Sequence, residues 1–537
     1  MANTPESGPR SPIVGNLRLT APGSGGSDRE HVDSDERVPI LIELNLLYPG
    51  GLETVRTDFY ALWADYVGVA GGWWPSEETG SSHVLPEVPD RLQLVSPKLY
   101  QCVLSRADLS RMIQQDRLDA QRDGRPATIF RAYPDYPMYP QIDRSAPTVK
   151  ADAAWRSYAA RGDRVVWAVV DSGIDATHPH FSELELATEE VSGGTGTGLT
   201  TGLHRDFSPL VNPPADGTPR SEPLRPLSDQ SGHGTHVAGI ISGRAPAGGT
   251  PRVADSKAPV DGGFVQRVHG ALSGMAPACQ LVSLKVMRQS PQGTWVTSSS
   301  AVIRALTYLR TEVNVDPGLL RVHGVNMSLG CEWDPRGYAA GQSPLSQAVN
   351  QLVASGVVVV ISAGNYGART AGGDSTSTSA SLGSITEPAH AADCIAVGST
   401  HRDAPHVFGV TWTSGKGPTL DGRMKPDVVA PGEWITSAAI GEVRSGAGLD
   451  VSADALAAMD QAARNDALLT YAEQSGTSMA APHVSGVIAA FLSARPEFVG
   501  RPREVKQLLM DSATDLGRER YAQGAGLVDL MRMLSNV

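Results

Sequence analysis

Five short and almost uninterrupted apolar runs limit the fold of this chain more than any other feature. They are Val165 to Val170, Leu281 to Val286, Val325 to Met327, Val357 to Ile361 and Ile395 to Val397. A strand without polar alternation is covered on both faces, as in a parallel sheet. Between the runs, apolar residues recur at helical spacing. The sequence therefore predicts an α/β fold, with a mostly parallel twisted sheet and helices on both faces.

The N-terminal part of the chain predicts a separate, smaller domain. Strand-like patterns cover Ile40 to Leu44, Leu99 to Leu104 and Ala127 to Tyr133, and helical spacing follows Leu52 and the cap residue Ser105. This pattern predicts an α+β domain of β-α-β-α-β order. The predicted divisions are a disordered tail at 1–36, the α+β domain at 37–140, a linker at 141–150 and the α/β domain at 151–537.

Three stretches interrupt the α/β pattern and look like insertions. Glu183 to Asp229 and Arg244 to Leu272 are rich in Gly and Pro and predict loops, whereas Gly441 to Glu473 contains a helical pattern.

Four polar side chains occupy Gly-rich turns beside the apolar runs. Asp171 follows the first run directly, His233 lies between Gly232 and Gly234, and Asn365 closely follows the run that ends at Ile361. Ser478 precedes another apolar stretch. Because reactive groups gather at the carboxyl ends of parallel strands, we expect these side chains to meet.

Each of these residues alone has an ordinary structural explanation. Asp171 can cap a turn, and Thr477 or Ser478 can be the N-cap of a helix. His233 and His236 have the spacing of a metal pair, but no third ligand lies near them in the sequence. The full set of an acid, a base, an amide and a hydroxyl is more specific than any member.

Together, these motifs resemble those of subtilisin-like serine peptidases, the subtilase family. The matching blocks are D-S-G-I-D from Asp171, G-H-G-T-H-V-A-G from Gly232, S-A-G-N from Ser362 and G-T-S-M-A-A-P-H from Gly476. The resemblance implies a serine endopeptidase that hydrolyses peptide bonds through an acyl-enzyme intermediate. It assigns the nucleophile to Ser478, the base to His233, the orienting acid to Asp171 and the oxyanion hole to Asn365.

The resemblance also implies a substrate-binding edge. Ser328, Leu329 and Gly330 would pair with the substrate backbone and form one wall of the pocket for the residue before the scissile bond. Ala363 and Gly364 would form the other wall. Because both walls are small, we expect a large apolar side chain to enter this pocket.

Many subtilases carry a propeptide whose element order and size match residues 37–140. The resemblance therefore implies that this N-terminal domain is an intramolecular inhibitor, and that the enzyme cuts the segment after it.

Composition narrows the expected partners to a protein or peptide substrate. A net charge of -12 without a basic run disfavours nucleic acid. No apolar h-region occurs in the first 36 residues and no 18-residue apolar run follows, so we expect no membrane partner and a cytoplasmic location, with non-classical export as the alternative. We expect that catalysis requires no cofactor and assign no metal ligands. Structural calcium at carboxylates such as Asp175 or Asp206 stays open.

Two other functions remain open on the sequence alone. A related enzyme could transfer the acyl group to an amine instead of water, and product masses would separate the two reactions because only hydrolysis adds a water. A catalytically silent binding module is the other alternative, and the intact set of four reactive residues argues against it.

Overall fold

The structure is a computed structural model that describes most of the chain. The described residues are 37–67, 92–96, 98–134, 145–184, 186, 199–211, 224–256, 263–270, 272–316, 318–332, 339–370 and 378–537. The tail predicted at 1–36 lies outside them. The chain divides into two compact units, Met1–Met138 and Tyr139–Val537.

The N-terminal unit is an antiparallel sheet with two helices. Its strands are Arg37–Leu44 (β1), Gln93–Ser96 (β2), Leu99–Ser105 (β3) and Ile129–Pro134 (β4), in the order β2-β3-β1-β4. Its helices are Gly51–Val67 (α1) and Arg106–Asp123 (α2). The unit has its own apolar core, in which Phe59 of α1 lies against Tyr100 of β3 with 5.5 Å between ring centroids.

The element order predicted for this unit lacked one strand. β2 has only four residues, too few to show an alternating pattern, and it pairs with β3 in antiparallel register. The predicted helix cap is confirmed, because the Ser105 side chain accepts a hydrogen bond of 3.1 Å from Asp108 N–H. The helix runs on to Asp123 and ends at Gly124, whose φ of 63° is left-handed.

The second unit contains fifteen described strands. In chain order they are Val166–Asp171 (β5), Arg205–Asp206 (β6), Arg252–Ser256 (β7), Phe264–Val268 (β8), Gln280–Lys285 (β9), Arg288–Gln289 (β10), Trp295–Val296 (β11), Gly324–Met327 (β12), Val358–Ser362 (β13), Ala368–Thr370 (β14), Thr378–Ala380 (β15), Ile395–His401 (β16), Val428–Glu433 (β17), Ile435–Ala438 (β18) and Thr470–Gln474 (β19).

The helices of the second unit are numbered on from the first unit. They are Ser145–Thr148 (α3), Ala151–Tyr158 (α4), His233–Ile241 (α5), Ser299–Tyr308 (α6), Pro344–Ala354 (α7), Pro405–Phe408 (α8), Gly441–Gly446 (α9), Ala453–Ala458 (α10), Gln461–Leu468 (α11), Thr477–Ala494 (α12), Pro502–Asp511 (α13), Arg520–Gln523 (α14) and Leu530–Ser535 (α15). Short 3-10 helices cover Pro179–Leu184, Ser208–Leu210 and Pro496–Phe498, and a π-helical turn covers Leu309–Val313.

The second unit begins earlier than the sequence predicted. Ser145, Ala146 and Val149 are buried, and Ser145 Oγ lies 2.8 Å from His483 Nε2 on α12. Residues 145–150, which the sequence placed in a linker, therefore belong to the second unit, and that part of the prediction was wrong. A helix of four residues is too short to show a helical period.

A seven-stranded sheet forms the centre of this unit, in the order β17-β16-β13-β12-β5-β9-β6. Each neighbouring pair is parallel. Each of the five predicted apolar runs overlaps a strand of this sheet, which confirms the α/β fold class. The sequence did not identify β17, where Pro431 and Gly432 hide the strand pattern, or the two-residue β6.

Helices cover both faces of the sheet, as predicted. Trp167 and Val169 of β5 belong to one apolar core together with α5 and α12, whereas the alternating Ala168 and Val170 belong to a second core with α6 and α7. By length and composition, α12 could span a membrane, with a mean hydropathy of 1.2, but 83% of it is buried inside the protein. We therefore describe α12 as a core helix.

Two of the stretches that looked like insertions meet in a second sheet. Its order is β18-β19-β7-β8. β7 and β8 lie in the stretch Arg244 to Leu272, where the sequence predicted only loops, so that prediction was wrong. β19 ends the other stretch and pairs with β7 in parallel, with Thr470 opposite Arg252. β7 also pairs with its neighbour β8 in antiparallel register, but neither five-residue strand alternates between apolar and polar residues, so neither shows a strand pattern.

Candidate active site

Asp171 and His233 meet at the carboxyl end of β5. Asp171 is the last residue of this strand and is fully buried, and its Oδ1 accepts hydrogen bonds of 2.8 Å from Ser172 N–H and from His233 Nδ1. An ionised carboxylate can only accept, so Nδ1 carries the proton and Nε2 keeps its lone pair. Burial opposes a charge on the ring, but the charge and hydrogen bond of Asp171 outweigh it and raise the pKa of His233. The pair can therefore offer a basic nitrogen.

The glycines that flank His233 allow close backbone approach. A Cβ on Gly232, whose φ is +87°, would lie 2.0 Å from the Ile440 carbonyl oxygen, and one on Gly234 would lie 2.2 Å from the Gly173 carbonyl oxygen. A side chain fits at neither position, so the start of α5 is fixed tightly against its neighbours.

Asp229 supports the Asp171–His233 pair, and no sequence motif pointed to it. It is buried, and its Oδ1 accepts from Ser172 Oγ and Gly232 N–H, each at 2.9 Å. Its Oδ2 accepts from Thr235 N–H at 2.9 Å and from Thr235 Oγ1 at 2.7 Å. Burial raises the pKa of Asp229 despite these hydrogen bonds. The only sequence signal was an aspartate just before a helix, which is common at helix starts.

The alternative of a metal pair at His233 and His236 has no support in the described residues. His236 is fully buried, its Nε2 lies 3.0 Å from the Ala472 carbonyl oxygen, and burial lowers its pKa to about 3. Across the part of the chain that the structure describes, no group of three His, Cys, Asp or Glu side chains is arranged to hold a metal ion.

The two carboxylates suggested for calcium have protein partners. Asp175 Oδ1 accepts from Thr177 N–H at 2.9 Å, and the oxygens of Asp206 accept from Ser208 N–H and Arg225 N–H at 2.9 and 3.0 Å. Asp175 Oδ1 and Asp206 Oδ1 thus make local turn contacts, whereas Asp206 Oδ2 accepts from Arg225, which is more distant in the chain.

Ser478 is the second residue of the buried helix α12. The N-cap is Gly476, whose φ is 150° and which offers no side-chain cap, so the prediction of Thr477 or Ser478 as N-cap was wrong. Ser478 lies in the first helical turn, where backbone N–H groups have no partner within the helix and the helix dipole favours negative charge. A negatively charged oxygen that forms beside Ser478 would therefore be stabilised at this end of α12.

Asn365 lies beside the turn that delivers Ser478. Its Oδ1 accepts from Thr477 N–H at 2.9 Å and from Thr477 Oγ1 at 3.1 Å. Because a backbone N–H can only donate, the atom that faces it must be the amide oxygen, and this fixes the orientation of the amide. Its NH₂ group is consequently left to donate elsewhere, and the Asn365 side chain is exposed.

Ser328 connects the predicted substrate-binding edge to Ser478. Ser328 Oγ donates to the Ser478 carbonyl at 2.8 Å, and Ser478 Oγ donates to the Ser328 carbonyl at 3.3 Å. Among the described residues, the Ser478 hydroxyl has this partner and no hydrogen bond to His233. Catalytic hydrogen bonds are often long in a free enzyme and shorten when substrate binds.

The two predicted pocket walls lie beside the same turn. Ser328, Leu329 and Gly330 directly follow β12, whereas Ala363 and Gly364 directly follow β13, the adjacent strand in the sheet. Gly364 N–H donates to Thr477 Oγ1 at 3.1 Å, which joins the second wall to α12.

Comparison with known proteins gives one family. The model of the Subtilase family matches residues 162–527. Alkaline elastase YaB from Bacillus sp. (strain YaB) is 28% identical over 354 residues, which cover 65% of this chain and 68% of the relative. Subtilisin E from Bacillus subtilis (strain 168) is 28% identical over 382 residues, which cover 71% of this chain and 68% of the relative.

A solved structure of a protease from Pseudoalteromonas arctica PAMC 21717 has a TM-score of 0.46 at 21% identity, and the match covers 73% of this chain and 93% of that chain.

Proposed function

The chain belongs to the subtilase family, and from this membership we propose that Asp171, His233 and Ser478 are the catalytic triad of a serine endopeptidase. Members of this family hydrolyse peptide bonds, so the substrate is a protein or a peptide. The observation that carries the proposal is the 2.8 Å hydrogen bond from His233 Nδ1 to the buried Asp171, which leaves Nε2 as the base.

The proposed reaction starts with proton transfer from Ser478 Oγ to His233 Nε2. A serine hydroxyl is a weak nucleophile at neutral pH, so its attack on the peptide carbonyl needs this base. Asp171 stabilises the resulting imidazolium without becoming protonated. His233 then gives the proton to the leaving amine, which departs and leaves the acyl group on Ser478. A water molecule deprotonated by the same imidazole releases the acid and restores Ser478.

Two donors would stabilise the oxyanion of the tetrahedral intermediates. Asn365 can donate from its NH₂ group, because Thr477 occupies its oxygen. Ser478 N–H is the second donor, and the positive end of the helix dipole of α12 adds to it.

Ser328, Leu329 and Gly330 would bind the acyl side of the substrate as an added strand. Binding by strand addition recognises the substrate main chain, and side-chain preference then depends on the pockets beside the strand. Ala363 and Gly364 would form the opposite wall of the first pocket.

We also propose that the N-terminal unit inhibits the enzyme until it is cut off. Two observations support this: the unit has its own core, and Ser145 and Ala146, the first residues that the structure describes in the second unit, are buried. A cut between residues 134 and 145 would therefore separate the two units without removing any of the buried residues that the structure describes in the second.

Labelling of the full chain with a fluorophosphonate tests the triad and the processing together. Incubated without the probe, the wild type should gain a new N-terminus between residues 134 and 145, and probe added afterwards should place one label on Ser478. Ser478→Ala should show neither change. Ser475→Ala, which removes an exposed hydroxyl from the same turn, should retain both. A wild-type protein without label would refute the triad, and a labelled protein without the new N-terminus would refute the proposed processing.

A further inference from the structure

The two proposed pocket walls are joined by a short segment that the sequence did not single out. Thr386 N–H donates to the Ala363 carbonyl at 3.1 Å. The next residue, Glu387, exchanges two backbone hydrogen bonds with Cys331, of 2.9 and 3.0 Å. Thr386 is therefore held by one wall through its own backbone and by the other wall through its neighbour.

The Thr386 side chain fills the space between the two walls. A Cβ on Gly330 would lie 2.6 Å from Thr386 Oγ1, and a Cβ on Gly364 would lie 2.4 Å from Thr386 Cγ2. The hydroxyl thus lies close to both walls, since a Cβ on Gly364 would also be 2.7 Å from Oγ1, whereas the methyl lies against the second wall. Thr386 is only 3% exposed, so its side chain and the surrounding atoms occupy this space almost completely.

Hydrogen bonding does not explain a threonine at this position. Thr386 Oγ1 is buried and has no hydrogen-bond partner among the described residues. A buried hydroxyl without a partner costs stability, whereas an apolar side chain of the same shape does not. The contacts of Thr386 instead indicate a steric role, because its side chain packs against both Gly330 and Gly364.

On the basis of the proposed function, we infer that Thr386 sets the substrate preference by closing the bottom of the pocket between Gly330 and Gly364. The residue before the scissile bond must then be small, such as Gly, Ala or Ser. This replaces the large apolar side chain expected from the small walls alone. A larger side chain would have to displace a buried residue whose backbone segment is bonded to both walls, and close-packed interiors adapt poorly to added volume.

Peptide p-nitroanilides that differ only in the residue before the anilide test this inference on the full chain. The wild type should hydrolyse the Ala substrate with a kcat/KM at least about ten times that of the Phe substrate, the size of effect that pocket volume produces. Thr386→Gly should raise kcat/KM for the Phe substrate and lower this ratio about tenfold or more. Thr386→Ser, which removes only the methyl facing Gly364, should change the ratio in the same direction by less.

Two control variants separate volume from other effects. Thr386→Val keeps the volume without the hydroxyl, so the wild-type ratio should persist. Thr436→Ala removes another buried hydroxyl without a partner in the described residues, on β18, and should leave the ratio unchanged. A wild type that prefers Phe, or a Thr386→Gly variant that folds with an unchanged ratio, would overturn the inference.

Fluorophosphonate labelling of the same samples distinguishes this inference from the function on which it rests. A labelled Ser478 together with a preference for Phe would contradict only the role of Thr386. An unlabelled Ser478 and no hydrolysis of either anilide would contradict the proposed function, and the inference about Thr386 would fail with it.

Discussion

The two halves of the candidate site are held in place by different means. The acid–base half, Asp171 and His233, is fixed by side-chain hydrogen bonds, and the buried Asp229 supports it through Ser172 and Thr235. In the nucleophile half, the side-chain hydrogen bonds join uncharged groups only: Thr477 donates to Asn365 Oδ1, and Ser328 Oγ donates to the Ser478 carbonyl. Gly476 and Gly364 have positive φ angles of 150° and 96°, and the Ser478 hydroxyl contacts the Ser328 carbonyl.

This difference indicates which half is ready to react before substrate arrives. In the acid–base half, the proton of the imidazole is already on Nδ1 and the raised pKa of His233 already favours proton uptake. In the nucleophile half, the proposed reaction requires the Ser478 hydroxyl to turn from the Ser328 carbonyl towards His233. Substitutions in the first half should therefore lower kcat by removing a charge or a hydrogen bond. Substitutions in the second half should lower it by removing a hydrogen-bond donor to the oxyanion.

Apart from the loss of His233 or Ser478 themselves, the largest effect is expected for Asp171→Asn. An asparagine at this position holds the ring without favouring the tautomer that leaves Nε2 basic, and the corresponding change in a serine protease triad lowers kcat about 10⁴-fold. Steady-state kinetics on a peptide anilide measure it, with the thermal unfolding midpoint as the control for folding. A loss of less than tenfold in a folded protein would show that Asp171 does not orient the base.

A smaller loss is expected for Asn365, where two variants separate its two contacts. Removal of an oxyanion-hole amide lowers kcat about 10²- to 10³-fold in subtilisin itself. Asn365→Asp keeps an acceptor for Thr477 N–H but loses the donor, so kcat should fall by this factor while the unfolding midpoint stays near that of the wild type. Asn365→Ala loses both contacts and should also destabilise the turn.

If Asn365→Asp retained the wild-type kcat, the side-chain amide would have no part in stabilising the oxyanion.

Two features of the sequence, the apolar runs and the motifs, predicted different parts of this molecule. The apolar runs predicted the central sheet because consecutive residues of a strand that is buried on both faces are apolar. Val166 to Val170 are an example. The motifs predicted that Asp171 and His233 would meet, and the structure brings them together.

Residues whose role depends on distant contacts were not predictable in this way. Thr386 packs against Gly330 and Gly364, and Asp229 accepts hydrogen bonds from Ser172 and Thr235. No local sequence pattern predicts either set of contacts. The pairing of β7 with β19 was missed for the same reason, because β19 lies about two hundred residues later in the chain.

Asp229 allows a weaker test of the acid–base half, because it acts only through other residues. Asp229→Ala leaves the hydrogen bonds of Ser172, Gly232 and Thr235 without their acceptor, which should cost about 1–3 kcal/mol of unfolding free energy. We expect kcat to fall about tenfold with KM nearly unchanged, as for the loss of a transition-state interaction. Asp229→Asn, which keeps one acceptor oxygen, should restore part of both losses.

A purely structural role of Asp229 would lower stability and leave kcat per folded molecule unchanged.

The smallest expected effect is a shift in the pH dependence of kcat/KM. His233 must be neutral to act as a base, and its pKa is raised, so activity should increase as the pH rises through a value above 6.5. The charge of Asp171 contributes to this rise. The residual activity of Asp171→Asn should therefore reach half of its plateau at a lower pH than the wild type. A midpoint that stays unchanged or moves to higher pH would contradict the assignment.

The central claim is that the two halves work as one triad, although the described residues show no hydrogen bond between Ser478 and His233. The most direct measurement is the kcat of His233→Ala, Ser478→Ala and the double variant. We predict that each single substitution lowers kcat about 10⁶-fold, as for the corresponding residues of subtilisin, and that the double variant is no slower than either one. Separate losses that multiply in the double variant would show that the two residues act independently and would contradict the account.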